Sequence, residues 1–222
     1  MYIIIFILGT IIGSFLNVCI YRIPREESIV FPSSHCTYCN TPLKWYDLIP
    51  VLSYLFLRGK CRYCRGDISP QYPIIELLNG IIYSILFYYL GLSLDFLYFS
   101  IIISILLVIS IIDFYHQIIP DYLLAFIIIV TVLYRFVIYF TYGASISLLD
   151  SITGFLAGGL LFTIIALVSN GGMGGGDIKL IAILGFILGL KKTILNILLS
   201  FIIGAAVSLF ILTSGKKGRK DA

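Results

Sequence analysis

Phe96-Leu97-Tyr98-Phe99-Ser100-Ile101-Ile102-Ile103-Ser104-Ile105-Leu106-Leu107-Val108-Ile109-Ser110-Ile111-Ile112 holds no charged residue, and Asp113 closes the run. A stretch this long and apolar reads as a membrane-crossing helix, since about 20 residues span the hydrocarbon core. Similar runs lie near 2–20, 72–90, 122–140, 148–168, 178–190 and 194–213, making seven in all, of which 178–190 is short. The chain of 222 residues is 60% hydrophobic and 12% charged, with a mean hydropathy of +1.07, far from the balance of a soluble domain. The expected fold class is an all-α polytopic membrane protein of about seven transmembrane helices with a small cytoplasmic zinc-knuckle loop. Met1 and Tyr2 lead into the first run with no basic n-region and no small-residue cleavage site. That run is expected to be a retained helix and not a removed signal peptide.

Basic residues set the orientation, because cytoplasmic loops near helix ends carry excess Lys and Arg. Arg22, Arg25, Lys44, Arg58, Lys60, Arg62 and Arg65 fall between the first two runs, and Lys216, Lys217, Arg219 and Lys220 follow the last. Both segments are expected on the cytoplasmic side, which an odd number of spans with an outside N-terminus satisfies. Lys191 and Lys192 land outside on this scheme and disagree with it, as a re-entrant or shortened segment would explain. Topology accounts for the net charge of +4, so the bilayer is an expected partner and nucleic acid is not.

Residues 21–71 form the one sizeable soluble segment. Within it Cys36-Thr37-Tyr38-Cys39 and Cys61-Arg62-Tyr63-Cys64 stand 21 residues apart. Two such knuckles place four thiolates tetrahedrally around zinc and close a segment too short to build its own core. The rival, a pair of disulfides, conflicts with a reducing cytoplasm. Cys36, Cys39, Cys61 and Cys64 are therefore the expected metal ligands, and a site with no open position is structural. Between the knuckles, residues 45–60 mix aromatic and basic side chains, as a membrane-surface segment or a small-ligand site would; sequence physics favours the surface.

Polar residues inside apolar runs need partners. Asn17 reads equally as a helix contact or a functional amide, and Glu76 as an interfacial carboxylate or one facing an active cavity. Asp121, after Pro120, is placed to cap a helix. Gly9/Gly13, Gly154/Gly158 and Gly185/Gly189 are small residues one turn apart, expected to let helices pack closely. Arg135 and Asp150 flank an outer loop and are expected at the interface.

Two aspartates resist such explanations. Asp113 sits at a helix C-terminus, where the dipole disfavours an anion. Asp177 ends Gly171-Gly172-Met173-Gly174-Gly175-Gly176 between two apolar runs, and carboxylates at membrane depth are costly and usually functional. With seven spans, both reach the cytoplasmic face. Two close carboxylates sharing a proton supply the base that takes a proton from water and the acid that protonates a scissile carbonyl. Gly174 and Gly176 would let an extended substrate backbone approach. A phosphate loop is excluded, because Asp177 stands where such a loop needs Lys. Paired intramembrane acids also serve proton-coupled carriers, so protease and ion-coupled transporter both remain open on these residues alone. A non-catalytic scaffold of a secretion or pilus machine is a third, weaker reading.

The chain resembles the type IV prepilin peptidases, bacterial membrane aspartyl proteases of the Gly-x-Gly-Asp kind. The matching residues are Gly174-Gly175-Gly176-Asp177-Ile178-Lys179-Leu180, Asp113 with Ile119-Pro120-Asp121, Gly13-Ser14-Phe15-Leu16-Asn17-Val18, both cysteine pairs, Ile49-Pro50-Val51-Leu52-Ser53-Tyr54, Leu57-Arg58-Gly59-Lys60-Cys61 and Tyr72-Pro73-Ile74-Ile75-Glu76. The first knuckle departs from the usual Cys-Pro-x-Cys but keeps its ligands. The resemblance implies catalysis by Asp113 and Asp177 in the bacterial cytoplasmic membrane, with the active site facing the cytoplasm. Type IV prepilins and pseudopilins would be cut after a Gly, before the hydrophobic stem. It also implies N-methylation of the new terminus from S-adenosylmethionine, an activity that goes with the cysteine-rich loop. Gly59 and Glu76 are candidates for the methyl-donor site, to which no residue is assigned. The expected organisation is a first transmembrane helix over 1–20, a zinc-binding loop with the methyltransferase part over 21–71, and the peptidase domain over 72–222.

Overall fold

In a computed structural model, residues 1–143, 147–169 and 172–213 are described. Gly171 and the basic residues Lys216, Lys217, Arg219 and Lys220 lie outside the described residues. The chain divides into two compact units, Met1–Leu123 and Leu124–Ala222. Eight α-helices are present among the described residues, and no strand beyond two isolated bridges.

The first unit contains α1 (Tyr2–Arg22), the short α2 (Leu52–Phe56), α3 (Gln71–Leu90), α4 (Leu94–His116) and the first turn of α5 (Asp121–Tyr142). Lipid offers no hydrophobic incentive for helices to associate, so close backbone approach and buried hydrogen bonds must hold them. The α1–α3 seam uses both. A Cβ at Gly9 would come within 2.8 Å of Gly80 Cα, and one at Gly13 within 2.8 Å of Glu76 Cα, so only glycine permits this spacing. Asn79 Nδ2 donates to Gly9 O at 2.7 Å, Ser104 Oγ lies 3.2 Å from Asn79 Oδ1, and Tyr83 Oη lies 3.2 Å from Ser104 Oγ. These bonds tie α1, α3 and α4 together. Leu16, Cys19, Ile20, Ile75, Val108 and Ile112 fill the space between them near the cysteine-rich loop. Ser93 caps α4 by accepting from Phe96 N, and α4 stops where Gln117 turns left-handed.

The second unit contains the rest of α5, then α6 (Leu148–Val168), α7 (Gly175–Leu188) and α8 (Leu190–Thr213). The expected glycine contacts are present here as well. A Cβ at Gly154 would meet Gly185 O at 2.3 Å, one at Gly185 would meet Gly154 O at 2.2 Å, and one at Gly158 would meet Ile181 O at 2.9 Å. Asp150 and Arg135, expected at the interface, each also hold two helices together. Asp150 Oδ1 accepts from Leu190 N at 3.1 Å, which puts a carboxylate on the N-terminus of α8. Arg135 Nη2 donates to Phe186 O at 2.7 Å, with its guanidinium 4.4 Å from the Phe186 ring centroid, so it clips α5 to α7.

Six helices among the described residues are long and apolar enough to cross a membrane: α1, α3, α4, α5, α6 and α8. The seventh expected span is α7. Its 14 residues reach about 21 Å at 1.5 Å per residue, against about 30 Å of hydrocarbon. Its boundary also differs from expectation. The helix begins at Gly175, so Gly175 and Gly176 form its first turn and the glycine run is only partly loop. Lys191 and Lys192 then open α8 immediately after the short helix.

Candidate active site and metal centre

The two cysteine pairs fold alike. In the first, Cys36 N donates to Thr41 O at 3.0 Å and Asn40 N to Cys36 O at 2.9 Å; in the second, Cys61 N donates to Gly66 O at 2.8 Å and Arg65 N to Cys61 O at 3.0 Å. Asn40 and Arg65, each following the second cysteine, both take positive φ, at 55° and 62°. Bridges His35 to Pro42 and Lys60 to Asp67 close each turn at the same offset. Two short stretches without a core of their own thus converge on one geometry that turns backbone N–H groups toward sulfur.

The four sulfurs meet. All five cysteines of the chain are free, and the Sγ atoms of Cys36, Cys39, Cys61 and Cys64 lie within 4.8 Å of one another. A tetrahedral zinc with bonds of about 2.3 Å sets its sulfurs about 3.8 Å apart; Cys36 Sγ and Cys64 Sγ stand at 3.8 Å. The donor set fits such an ion. Hydrogen bonds from the Thr41 hydroxyl and N–H favour a thiolate at Cys39 and draw it down to about 6. At Cys64 the Gly66 N–H also favours the thiolate, but desolvation and the bonds with Cys39, Cys61 and Cys36 prevail and lift it to about 11. Four sulfurs this close cannot all ionise without a cation among them.

Asp47 braces the cluster from the intervening segment. Its side chain is 3% exposed and accepts from Arg62 Nε at 2.7 Å, Tyr63 Oη at 3.0 Å and Lys44 N at 3.3 Å. Burial raises its carboxyl, yet these donors outweigh burial and hold it below the usual carboxylate range. Arg62 and Tyr63 are the two residues inside the second knuckle, so this one carboxylate fixes the knuckle to residues 44–47. Arg22 anchors the loop's entry. Its buried guanidinium gives Nη1 to Ser28 O at 2.9 Å and Nη2 to Pro32 O at 2.7 Å and Ser33 O at 3.4 Å.

The candidate catalytic aspartates belong to different units. Asp113 is half-buried in the last turn of α4, and its carbonyl accepts from Gln117 N at 2.8 Å. Asp177 is half-buried in the first turn of α7, where the helix N-terminus favours a carboxylate. Gly174 is the exposed N-cap of α7, and a Cβ there would lie 3.2 Å from Asp177 Oδ2; Gly176 is half-buried within the first turn. Each acid therefore stands at a helix end, in its own unit.

A further polar group gave only a weak signal in the sequence. Glu76, 6% exposed, accepts from Val51 N at 2.7 Å, and the Ser14 hydroxyl lies near its carboxyl. Val51 has φ 61° and ψ −49°, and Leu52 N reaches back to Pro50 O at 2.6 Å, a γ-turn of the rare positive-φ kind at a β-branched residue. A lone Val inside an Ile-Pro-Val-Leu string carries no mark of such a conformation.

Comparison with known proteins agrees with this architecture. A family model described as the bacterial peptidase A24 N-terminal domain matches residues 7–90, and one described as the type IV leader peptidase family matches residues 100–209. A prepilin leader peptidase/N-methyltransferase of Bacillus subtilis (strain 168) is 35% identical over 98% of this chain and 86% of its own length. Proteins of the same name from Pseudomonas putida and Neisseria gonorrhoeae are 33% and 32% identical, over 93% and 97% of this chain and 79% and 83% of their own lengths. No solved structure matches the chain. With both family models in sequence along one chain and relatives similar over nearly its whole length, the protein belongs to the type IV leader peptidase family.

Proposed function

We propose that this chain is a multi-pass membrane aspartyl endopeptidase that removes leader peptides from type IV prepilins and pseudopilins and N-methylates the terminus it creates. Its membership of a family whose relatives bear both names carries this reading. It also decides between the peptidase and the transporter that paired acids alone left open. The basic residues between α1 and α3 support a cytoplasmic active site in the bacterial inner membrane.

Asp113 and Asp177 would be the catalytic pair, one serving as base and the other as acid. The ionised carboxylate takes a proton from water, whose oxygen attacks the scissile carbonyl carbon, while the protonated partner gives its proton to the carbonyl oxygen. As the resulting diol collapses, one hydroxyl returns its proton to the second carboxylate, the carbon–nitrogen bond breaks, and the leaving nitrogen takes the proton the first carboxylate had accepted. Gly174 and Gly176 leave room beside Asp177 for an extended leader backbone after its terminal Gly.

Residues 72–222 are assigned to cleavage, residues 21–71 to methylation, and residues 1–20 to the first membrane helix. Cys36, Cys39, Cys61 and Cys64 would hold a structural zinc that ties the two knuckles together. S-adenosylmethionine would supply the methyl group. The direct test is prepilin processing by purified Asp113→Ala and Asp177→Ala proteins, both expected to be inactive while folded. Cleavage by either would remove that residue from the pair. Mass spectrometry of the mature substrate reads methylation separately.

A further inference from the structure

Glu76 is a buried carboxylate one turn into a membrane helix, and no cationic side chain pairs with it among the described residues. It accepts from Val51 N, with the Ser14 hydroxyl nearby, whereas a carboxylate has about four acceptor sites. On the same α1–α3 seam Asn17, 2% exposed, gives Nδ2 to Tyr72 O at 3.0 Å and Gly13 O at 3.3 Å. Those two bonds fix the amide's orientation, and its Oδ1 is buried with no partner. Tyr72 precedes Glu76 by one helical turn, and Gly13 packs against the Glu76 backbone, so both acceptors lie along the same stretch of the α1–α3 seam. A buried carboxyl group with spare acceptor sites and an orphaned carbonyl oxygen together suit a cation that carries hydrogen-bond donors.

We propose that Glu76, Asn17 and Ser14 form a binding site for a protonated primary amine. The chemistry selects this ligand class. A sulfonium has charge but no N–H, a divalent metal asks for more oxygen anions than one carboxylate, and an ammonium offers charge and three donors. Two sources fit the proposed reaction, on which this inference rests: the α-ammonium of S-adenosylmethionine, or the amino terminus freed by cleavage. The turn at Val51 covers Glu76 in a strained conformation, so releasing Val51 N from the carboxylate relieves strain as it admits the ligand.

The test uses the full chain purified in detergent, with binding measured calorimetrically. One probe pair is S-adenosylmethionine and 5′-methylthioadenosine, which lacks the amine. The other is a short peptide of the mature substrate terminus, free and acetylated. Wild-type protein is expected to prefer the amine-bearing member of one pair by at least tenfold. Glu76→Gln, which keeps an acceptor for Val51 N, abolishes that preference without weakening the amine-free member, and Glu76→Asp restores part of it. Loss in the first pair assigns the site to the methyl donor, and loss in the second to the product terminus. Equal wild-type binding within both pairs, no binding of either amine probe, or a preference that survives Glu76→Gln overturns the proposal. The wild-type comparison holds even if Glu76→Gln fails to fold. A chain that never methylates but binds the free peptide through Glu76 would sink the methyltransferase reading and leave the site standing. Methylation with no Glu76-dependent preference does the reverse.

Discussion

Replacing Gly185 by Ala tests the seam that positions Asp177. The added Cβ would lie 2.2 Å from Gly154 O, 2.7 Å from Gly154 C and 3.1 Å from Phe155 N. All three are backbone atoms, so no rotamer can relieve the overlap. Ordinary van der Waals separation returns only if α6 and α7 part by about 1 Å. Overpacking of this kind costs about 1–3 kcal/mol. On the proposed function the same shift should also lower activity, because α7 carries Asp177 about two turns from the clash. A catalytic group misplaced by about 1 Å loses on the order of 100-fold in rate. Steady-state cleavage of a purified prepilin and thermal melting of the enzyme in the same detergent are the paired assays. Gly204→Ala on α8, where an added Cβ meets nothing within 4 Å, is the neutral control. Wild-type turnover and melting in Gly185→Ala, or an equal loss in Gly204→Ala, would refute the claim that this contact sets the position of Asp177.

Cys36→Ser should abolish stoichiometric zinc, read by elemental analysis, because three thiolates no longer complete the tetrahedron; strong chelators should expose residues 26–67 of the wild type to proteases in the same way. Asp47→Asn should destabilise the loop by about 1–2 kcal/mol, a figure reduced because Arg62 is half exposed. The Asp47 carboxyl is held low in the folded protein, so its contribution is present above the unfolded value near ~3.9 and is lost as pH falls through the lower folded value. Loop melting against pH should therefore show an acid limb in wild type that is flattened in Asp47→Asn. Arg22→Ala strands the carbonyls of Ser28, Pro32 and Ser33 and should cost about 2–3 kcal/mol, with earlier proteolysis after α1 as the readout.

Much of the helical layout is legible in hydropathy, because lipid demands long apolar helices whatever their neighbours do. The cysteine cluster is legible for a different reason: four soft ligands in paired spacing have few other uses. Glycine pairs such as Gly154/Gly158 announce a contact but not its partner, which only packing supplies. At Arg135 and Asp150 the sequence shows only a charge near a helix end, and nothing local says that Phe186 O or Leu190 N stands in reach. The start of α7 was hidden by the low helix propensity of Gly175 and Gly176, which Asp177 at the N-terminal end offsets. The Val51 turn was hidden more deeply, since a β-branched residue disfavours the conformation that its bond to Glu76 accompanies.

The shortness of α7 bears on the lipid as well as the chemistry. A helix of 14 residues leaves roughly 9 Å of an average bilayer unmatched, with Asp177 at one end and Lys191 just past the other. None of the exposed large apolar side chains among the described residues lies on α7, so a helix too short to span can end below the bilayer surface while its neighbours, and not lipid, surround it. On the proposed function, a helix that ends below the bilayer surface would let water, the second substrate of hydrolysis, reach Asp177 at its N-terminus.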